Sequence, residues 1–499
     1  MRRSVAMAAP GLARPAAAPL IWAALAALLA LRLLALAFNG TDLFFDEAQY
    51  WTWAQEPAFG YYSKPPLIAA LIGATTSLCG DSSFCVRLSA PLMHTATAGI
   101  LFLIGRRLYD EETGLWAALT FATLPGVSLS AGIVSTDVPL LFGWALAVLG
   151  LVGLLQERRG WMPALALGVG LGLGLNAKYA MAFLPASLAI YLLVTPSARA
   201  LLRDPRLWLG MGLGLAMIVP NLAWNAANKF ATFAHTADNA KWTGSLIHPG
   251  KGLEFIGAQL AVFGPILLAG LALICRRAWV EGARPSDRLL LCLTLPVLAA
   301  ITAQAFVSRA HANWAATAYV AGSVLVPAVL LRLGLSRWLR ASLGLHLAVM
   351  AVLMAGTAAA GRFIVPLAGD PFQRTLGWSE LGERTARVVA EARAAGRPVL
   401  AVMTDDRAVT ASLLYYLRHE KTPIVAWRDG PRPLDHYEMS RPFAGARQTP
   451  LLLVATRRDS DRITGRFGSA ATVREEAVPA GLGTPRHVRF IVLDGYRPN

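Results

Sequence analysis

The sequence predicts a polytopic all-α membrane protein with a small C-terminal α/β domain outside the membrane, and three observations carry that prediction. The 499 residues are 55% hydrophobic and 15% charged, against roughly a quarter charged in a soluble domain. About eleven apolar runs approach the length of a hydrocarbon core. Beyond residue 360 long apolar runs give way to short ones, and basic residues become frequent. The net charge of +16 would suggest a nucleic-acid partner in a soluble chain. With a mean hydropathy of +0.49 and arginines gathered in short loops, the charge is expected to set membrane orientation instead. Membrane lipids are the expected surroundings, and no nucleic acid is expected as a partner.

Residues 1–18 read as a cytoplasmic N-terminus. Leu20–Phe38, broken only by Arg32, is the first apolar run. A cleaved signal peptide ending at Ala35-Leu36-Ala37 is the alternative, but the run exceeds the usual signal core. The other runs are 86–105, 114–131, 138–155, 161–175, 180–195, 207–225, 255–275, 289–307, 314–333 and 341–360. Those that are short or hold Gly and Pro are expected to bend around a cavity, because a freed backbone group in lipid needs a partner. One alternate set of loops carries Arg2, Arg3, Arg14, Arg106, Arg107, Arg158, Arg159, Arg199, Arg203, Arg206, Arg276, Arg277, Arg284, Arg288, Arg332, Arg337 and Arg340. The other set carries Lys64, Lys178, Lys229, Lys241, Lys251 and Arg309. The asymmetry places the first set in the cytoplasm and the 39–85 loop outside. An odd number of crossings then places the tail, 361–499, outside as well. Residues 19–360 are the expected transmembrane domain.

Cys79 and Cys85 share the outer loop, and a local disulfide and a reduced pair both fit their spacing. Cys275 and Cys292 read as packing residues. In the tail, Pro398–Met403, Pro423–Trp427, Leu451–Ala455 and His487–Leu493 read as buried strands and Arg407–His419 as a helix. Asp405 and Asp406, at a strand end, read as solvated or capping carboxylates.

The 39–85 loop mixes carboxylates, one lysine and many aromatics: Asp46-Glu47-Ala48-Gln49-Tyr50-Trp51-Thr52-Trp53, then Tyr61-Tyr62-Ser63-Lys64-Pro65-Pro66. As a helix lying at the membrane surface, residues 46–56 would place Asp46, Gln49, Tyr50 and Trp53 on one face. A plain interfacial anchor is the competing reading. Asp137, ahead of Pro139, also falls at an outer helix end, where a functional role is weighed above helix capping. Lys178, His235, Lys241, Arg309, His311 and Asn313 lie on the same side. One carboxylate, one lysine stiffened by Pro-Pro and a cavity open to lipid suit sugar transfer from a polyprenyl phosphate. The leaving phosphate needs a cation, which Lys64 can supply. Asp46 would take a proton or hydrogen bond from the attacking hydroxyl. Single displacement would invert the anomeric centre. Neither a nucleotide loop nor a cofactor is required, and a divalent metal has no ligand motif.

Asp46-Glu47-Ala48-x-Tyr50, Tyr61-Tyr62-Ser63-Lys64-Pro65-Pro66-Leu67 and Thr136-Asp137-x-Pro139 together resemble the bacterial protein-mannosyltransferase-like family, which includes the aminoarabinose lipid A transferases. The resemblance runs over about 20–360. It implies a C-type glycosyltransferase fold in the bacterial inner membrane, with the tail periplasmic. The implied partners are a polyprenyl-phosphate sugar donor and an acceptor that is a lipid A core, another envelope glycan, a lipid or a protein. It also implies catalytic roles for Asp46 and Asp137 and donor-phosphate contacts for Lys64, Lys178 and Arg309. The gathering of polar groups on the outer side adds Tyr61 as a further phosphate contact and Glu47, Tyr50, His235, His311 and Asn313 as acceptor or cavity positions. Gln49 and Ser63 replace an arginine and a glutamate of the aminoarabinose branch, so sugar and acceptor stay open. A polytopic secondary transporter is the alternative from another class; it would place ionisable groups near mid-membrane and lack a large tail.

Overall fold

The computed structural model describes residues 17–156, 160–240, 242, 247–366, 368–457 and 459–498. Residues 1–16, Arg158, Arg159 and Lys241, which entered the orientation argument, lie outside the described residues. Single helices occupy most of the apolar runs: Ala17–Ala37, Ser89–Leu108, Asp137–Gln156, Met162–Ala177, Phe183–Val194, Pro205–Ala227, Pro285–Val307, Ala318–Arg332 and Ser336–Ala358. Two runs are broken. The 114–131 run divides into Glu111–Thr123 and Pro125–Ser130, with extended backbone at Leu124, as a following proline favours. The 255–275 run becomes Pro249–Val262 and Pro265–Glu281, bent by 111°, where Gly264 takes a φ of +92° that favours glycine. Among the described residues, six single helices are long and apolar enough to cross a membrane, or seven if the bent pair is one span. The short and Gly/Pro-containing runs thus include bent and broken segments, as expected of them.

Glycine sets the tightest helix contact. A Cβ on Gly150 would lie 2.3 Å from the Leu167 nitrogen, and one on Gly143 would lie 2.7 Å from the Gly170 carbonyl oxygen. Helices Asp137–Gln156 and Met162–Ala177 thus pack backbone to backbone, as small residues allow in a membrane. Their antiparallel course brings Asp137, at the start of the first, beside Lys178, which follows the end of the second. At the other end of the bundle, Asp287 accepts a 2.7 Å hydrogen bond from Tyr109 and pairs with Arg332 at 2.5 Å.

The tail folds around a five-stranded sheet of order β2-β1-β3-β5-β4. The strands are β1 Ala401–Thr404, β2 Ile424–Ala426, β3 Leu451–Ala455, β4 Phe467–Val478 and β5 Arg486–Tyr496. β1 runs parallel to β2 and β3, and β5 runs antiparallel to β3 and β4. Four strands match the sequence-based segments, and the expected helix spans Arg407–Tyr416. β4 was not expected because it is an edge strand with most of its residues exposed, so it lacks the buried alternation that marks strands. Helix Trp378–Ala394, which packs on the sheet through Leu381 and Val388, was not expected either. Asp406 caps helix Arg407–Tyr416, and Asp405 accepts from the Thr456 and Arg457 amides, so both carboxylates have the structural roles expected of them.

The tail does not stand apart from the 39–85 segment. Ala411, Tyr415, Ala426 and Tyr437 share one buried cluster with Leu43, Trp51, Trp53, Tyr61 and Ile72. Asp42 accepts from the Trp378 and Ser379 amides at 2.8 and 3.2 Å, capping a tail helix from the loop. The Tyr416 hydroxyl accepts from the Leu43 amide at 2.9 Å, and the Tyr415 hydroxyl donates to the Asp81 carbonyl at 2.6 Å. Helix Phe45–Gln55 is therefore enclosed: every residue from Glu47 to Trp53 is buried. Tail residues cover this helix, so its aromatic side chains pack within protein. Cys79 and Cys85 form a disulfide in the same segment, with Cα atoms 5.9 Å apart.

Candidate active site

The start of helix Phe45–Gln55 separates two adjacent carboxylates. Glu47 turns inward, and both its oxygens are taken by Arg87 at 2.9 and 2.7 Å, with the Phe44 and Val134 amides each donating at 2.9 Å. Arg87 reaches on to the Thr41 hydroxyl and the Asp42 carbonyl. With no acceptor capacity to spare, Glu47 anchors the loop to the bundle and does not line an acceptor cavity. Asp46 points the other way and is half-buried. Its Oδ1 accepts from Arg407 at 2.8 Å, while Oδ2 has no donor among the described residues.

Lys64 follows a tight turn in which the Tyr61 amide donates to the Lys64 carbonyl at 3.0 Å, and Pro65-Pro66 then starts helix Leu67–Cys79. Among the described residues the Lys64 ammonium has no hydrogen-bond partner. Burial and the nearby Lys178 lower its pKa to about 8, against the pull of Asp137 and Asp46. Asp137 holds Lys178 at 2.7 Å and accepts from Asn313 at 2.5 Å. Asp46, Lys64, Asp137, Lys178 and Asn313, drawn from four separate stretches of sequence, thus meet at one end of the bundle. Tyr50 joins them: burial and then Asp46 raise its pKa well above the ordinary value, so its hydroxyl stays protonated there.

The remaining candidates divide. Tyr61 stacks on Trp53 at 4.6 Å with rings 5° apart, and its hydroxyl donates to the Trp53 carbonyl at 2.8 Å while accepting from the Ala58 amide. Tyr61 is therefore a packing residue, and its expected phosphate contact is corrected because its hydroxyl is engaged by backbone. His235 bonds Asn239 at 2.9 Å; burial, with Lys64 and Arg407 nearby, lowers its pKa to about 4, leaving a neutral ring at the edge of the cluster. Burial and then Arg309 and Lys178 also lower the His311 pKa. Arg309 lies close to these groups, and its buried Nε has no hydrogen-bond partner among the described residues. Among the described residues no group of three His, Cys, Asp or Glu side chains is placed to hold a metal ion.

Arg407, expected only as the first residue of a tail helix, is part of the site. It opens helix Arg407–Tyr416 of the tail, donates from Nη1 to Asp46 and Gln49, and lies 5.0 Å from the Phe45 ring centroid. Its position just after a strand end and a capping aspartate marks the rim of an α/β sheet, where ligand-binding groups gather. Its partner is 361 residues away, and no local pattern reports that distance.

The model of the dolichyl-phosphate-mannose-protein mannosyltransferase family matches residues 63–224. The lipid A galacturonosyltransferase RgtD of Rhizobium johnstonii is 38% identical over 408 residues, 82% of this chain and 84% of that protein. Among solved structures, apo ArnT from Cupriavidus metallidurans superposes with a TM-score of 0.65 at 14% identity, covering 95% of this chain and 98% of ArnT. ArnT bound to undecaprenyl phosphate gives 0.62 at 15% identity, covering 98% and 100%. The ArnT likeness establishes the C-type glycosyltransferase fold. The relation to RgtD displaces the transporter alternative. The chain belongs to the protein-mannosyltransferase-like family of multi-pass membrane glycosyltransferases, together with the lipid A galacturonosyltransferase RgtD.

Proposed function

We propose that this protein transfers a uronic acid, with galacturonic acid as its first candidate, from a polyprenyl phosphate to lipid A at the periplasmic face of the bacterial inner membrane. The observation that carries this reading is the Lys64 ammonium, withdrawn from solvent, beside the Asp46 carboxylate; among the described residues the ammonium has no hydrogen-bond partner and Asp46 Oδ2 no donor. A leaving phosphate satisfies the first, and an acceptor hydroxyl satisfies the second. The hydroxyl oxygen attacks the anomeric carbon, and the bond to the phosphate oxygen breaks with its electron pair. The proton passes toward Asp46 Oδ2. The phosphodiester becomes a monoester whose added charge Lys64 stabilises, with Lys178 and Arg309 alongside. One displacement inverts the anomeric centre, and no cofactor enters the scheme. Asp137 holds Lys178 and Asn313 in place.

Three further points support the choices of sugar, donor and face. Ser63 stands where the aminoarabinose branch has a glutamate, and the surrounding Lys64, Lys178, Arg309 and Arg407 favour an anionic sugar. The relative's sugar is galacturonic acid and its acceptor lipid A, and the similarly folded ArnT binds undecaprenyl phosphate. The arginine asymmetry between the two sets of loops supports a cytoplasmic N-terminus and a periplasmic tail over 361–499. Mass spectrometry of lipid A from cells with the wild-type protein, without it and with Asp46→Asn tests the reading. A uronic acid increment confined to the wild-type strain is expected; identical lipid A in all three refutes it.

A further inference from the structure

Arg407 is only half engaged. Nη1 serves both Asp46 and Gln49, whereas Nε and Nη2 have no hydrogen-bond partner among the described residues. Neither of those atoms is sealed from solvent, and about a third of the side chain is open, at 35% exposure. The guanidinium plane is fixed by its two acceptors and by the Phe45 ring 5.0 Å away. A fixed guanidinium with its Nε/Nη2 edge open is the geometry that pairs two-fold with a carboxylate. The edge belongs to the same cluster as the donor-phosphate lysine: Arg407 and Asp46 both act on Lys64, on Tyr50 and on His235. A sugar carried on a phosphate at Lys64, with its anomeric carbon facing Asp46, therefore lies within the space that Arg407 borders.

We infer that Arg407 is the residue that reads the sugar, its Nε/Nη2 edge binding the carboxylate of the uronic acid while Nη1 keeps Asp46 and Gln49 in place. The inference rests on the proposed function and adds a role for the tail: sugar selectivity is supplied by a residue outside the membrane domain. Gln49 fits this arrangement. It stands where the aminoarabinose branch has an arginine, and its amide oxygen anchors a guanidinium that arrives from the tail instead.

The test compares transfer from polyprenyl-phosphate galacturonic acid and from its neutral counterpart, polyprenyl-phosphate galactose, to lipid A. Purified full-length wild-type protein, Arg407→Gln and Arg407→Lys are assayed in detergent. The readout is the ratio of kcat/KM for the two donors, which cancels any effect that weakened positioning of Asp46 has on both. A preference for the acidic donor is expected in the wild type. It should fall about 10–100-fold in Arg407→Gln, as for loss of a charge-assisted pair, and less in Arg407→Lys, which keeps the charge without the fork. Equal losses on both donors, leaving the ratio unchanged, would overturn the inference and reduce Arg407 to a positioning residue for Asp46. Wild-type protein that prefers galactose would overturn the uronic acid reading itself, and this inference with it. Thermal midpoints of the three proteins identify a variant that has not folded, and the Arg407→Lys ratio then decides.

Discussion

Lys64 offers the sharpest test of the chemistry, because its charge is predicted to change within an accessible pH range. Burial and the neighbouring Lys178 lower its pKa from 10.5 to about 8. A depressed lysine pKa means that the cation is present below the folded value and lost above it. Between pH 7 and pH 9 the protonated fraction in the free enzyme falls about tenfold. The phosphodiester donor does not titrate in this range, so kcat/KM for the donor should fall by about the same factor, with an alkaline limb near 8. Bound donor phosphate favours the ammonium, so the limb in kcat should lie at higher pH than the limb in kcat/KM. Lys64→Arg keeps a cation that does not titrate here, and its profile should stay flat through pH 9 at a lower plateau. The same displacement has a stability counterpart. The folded state holds the Lys64 proton less tightly than the unfolded chain, so substrate-free protein gains stability as pH rises from about 8 toward 10.5. Holding the ammonium charged at neutral pH costs up to about 3 kcal/mol, and Lys64→Met should raise the thermal midpoint of the substrate-free protein while abolishing transfer. A wild-type profile with no decline by pH 9.5, or an alkaline limb near 8 that survives in Lys64→Arg, refutes the assignment of Lys64 as the donor-phosphate cation.

Other substitutions separate chemistry from architecture. Asp46→Asn keeps the size of the side chain but removes the proton acceptor, and transfer should fall about 10²–10⁴-fold with unchanged membrane yield; near-normal turnover counts against Asp46 as the base. Glu47→Gln should act on stability first, because it leaves Arg87 buried without its counter-charge, at a cost of about 3–5 kcal/mol; an unchanged thermal midpoint would contradict the anchoring role. Gly150→Val places a side chain 2.3 Å from the Leu167 nitrogen, where backbone cannot yield, so overpacking of about 1–3 kcal/mol or more is expected. Separation of the two helices should also draw Asp137 from Lys178, lowering activity in whatever protein still folds; a fully active variant would remove the glycine contact from the account of the site.

The apolar runs, the α/β character of the tail and four of its strands were legible in the sequence, because burial in lipid or in a sheet core demands continuous apolar residues whatever their partners. That Asp46, Lys64, Asp137 and Lys178 gather at one end of the bundle was legible for a related reason. Ionisable groups at the ends of apolar helices are costly unless they serve a ligand or one another, so their presence there is itself informative. The roles of Glu47 and Tyr61 were not legible, since a carboxylate or a phenol in the same loop looks alike whether its hydrogen-bonding capacity is free or spent. Glu47 spends it on Arg87 and the Val134 amide, and Tyr61 spends it on the Trp53 and Ala58 backbone. Arg407 was beyond reach because its partners Asp46 and Gln49 belong to the opposite end of the chain. By itself, then, the sequence determined which segments are apolar and which charged groups cluster toward one end of them. Only the tertiary structure decided which of those groups keep a free face, because satisfaction of a polar atom is a property of its neighbours in space, and here the decisive neighbour arrives from the tail.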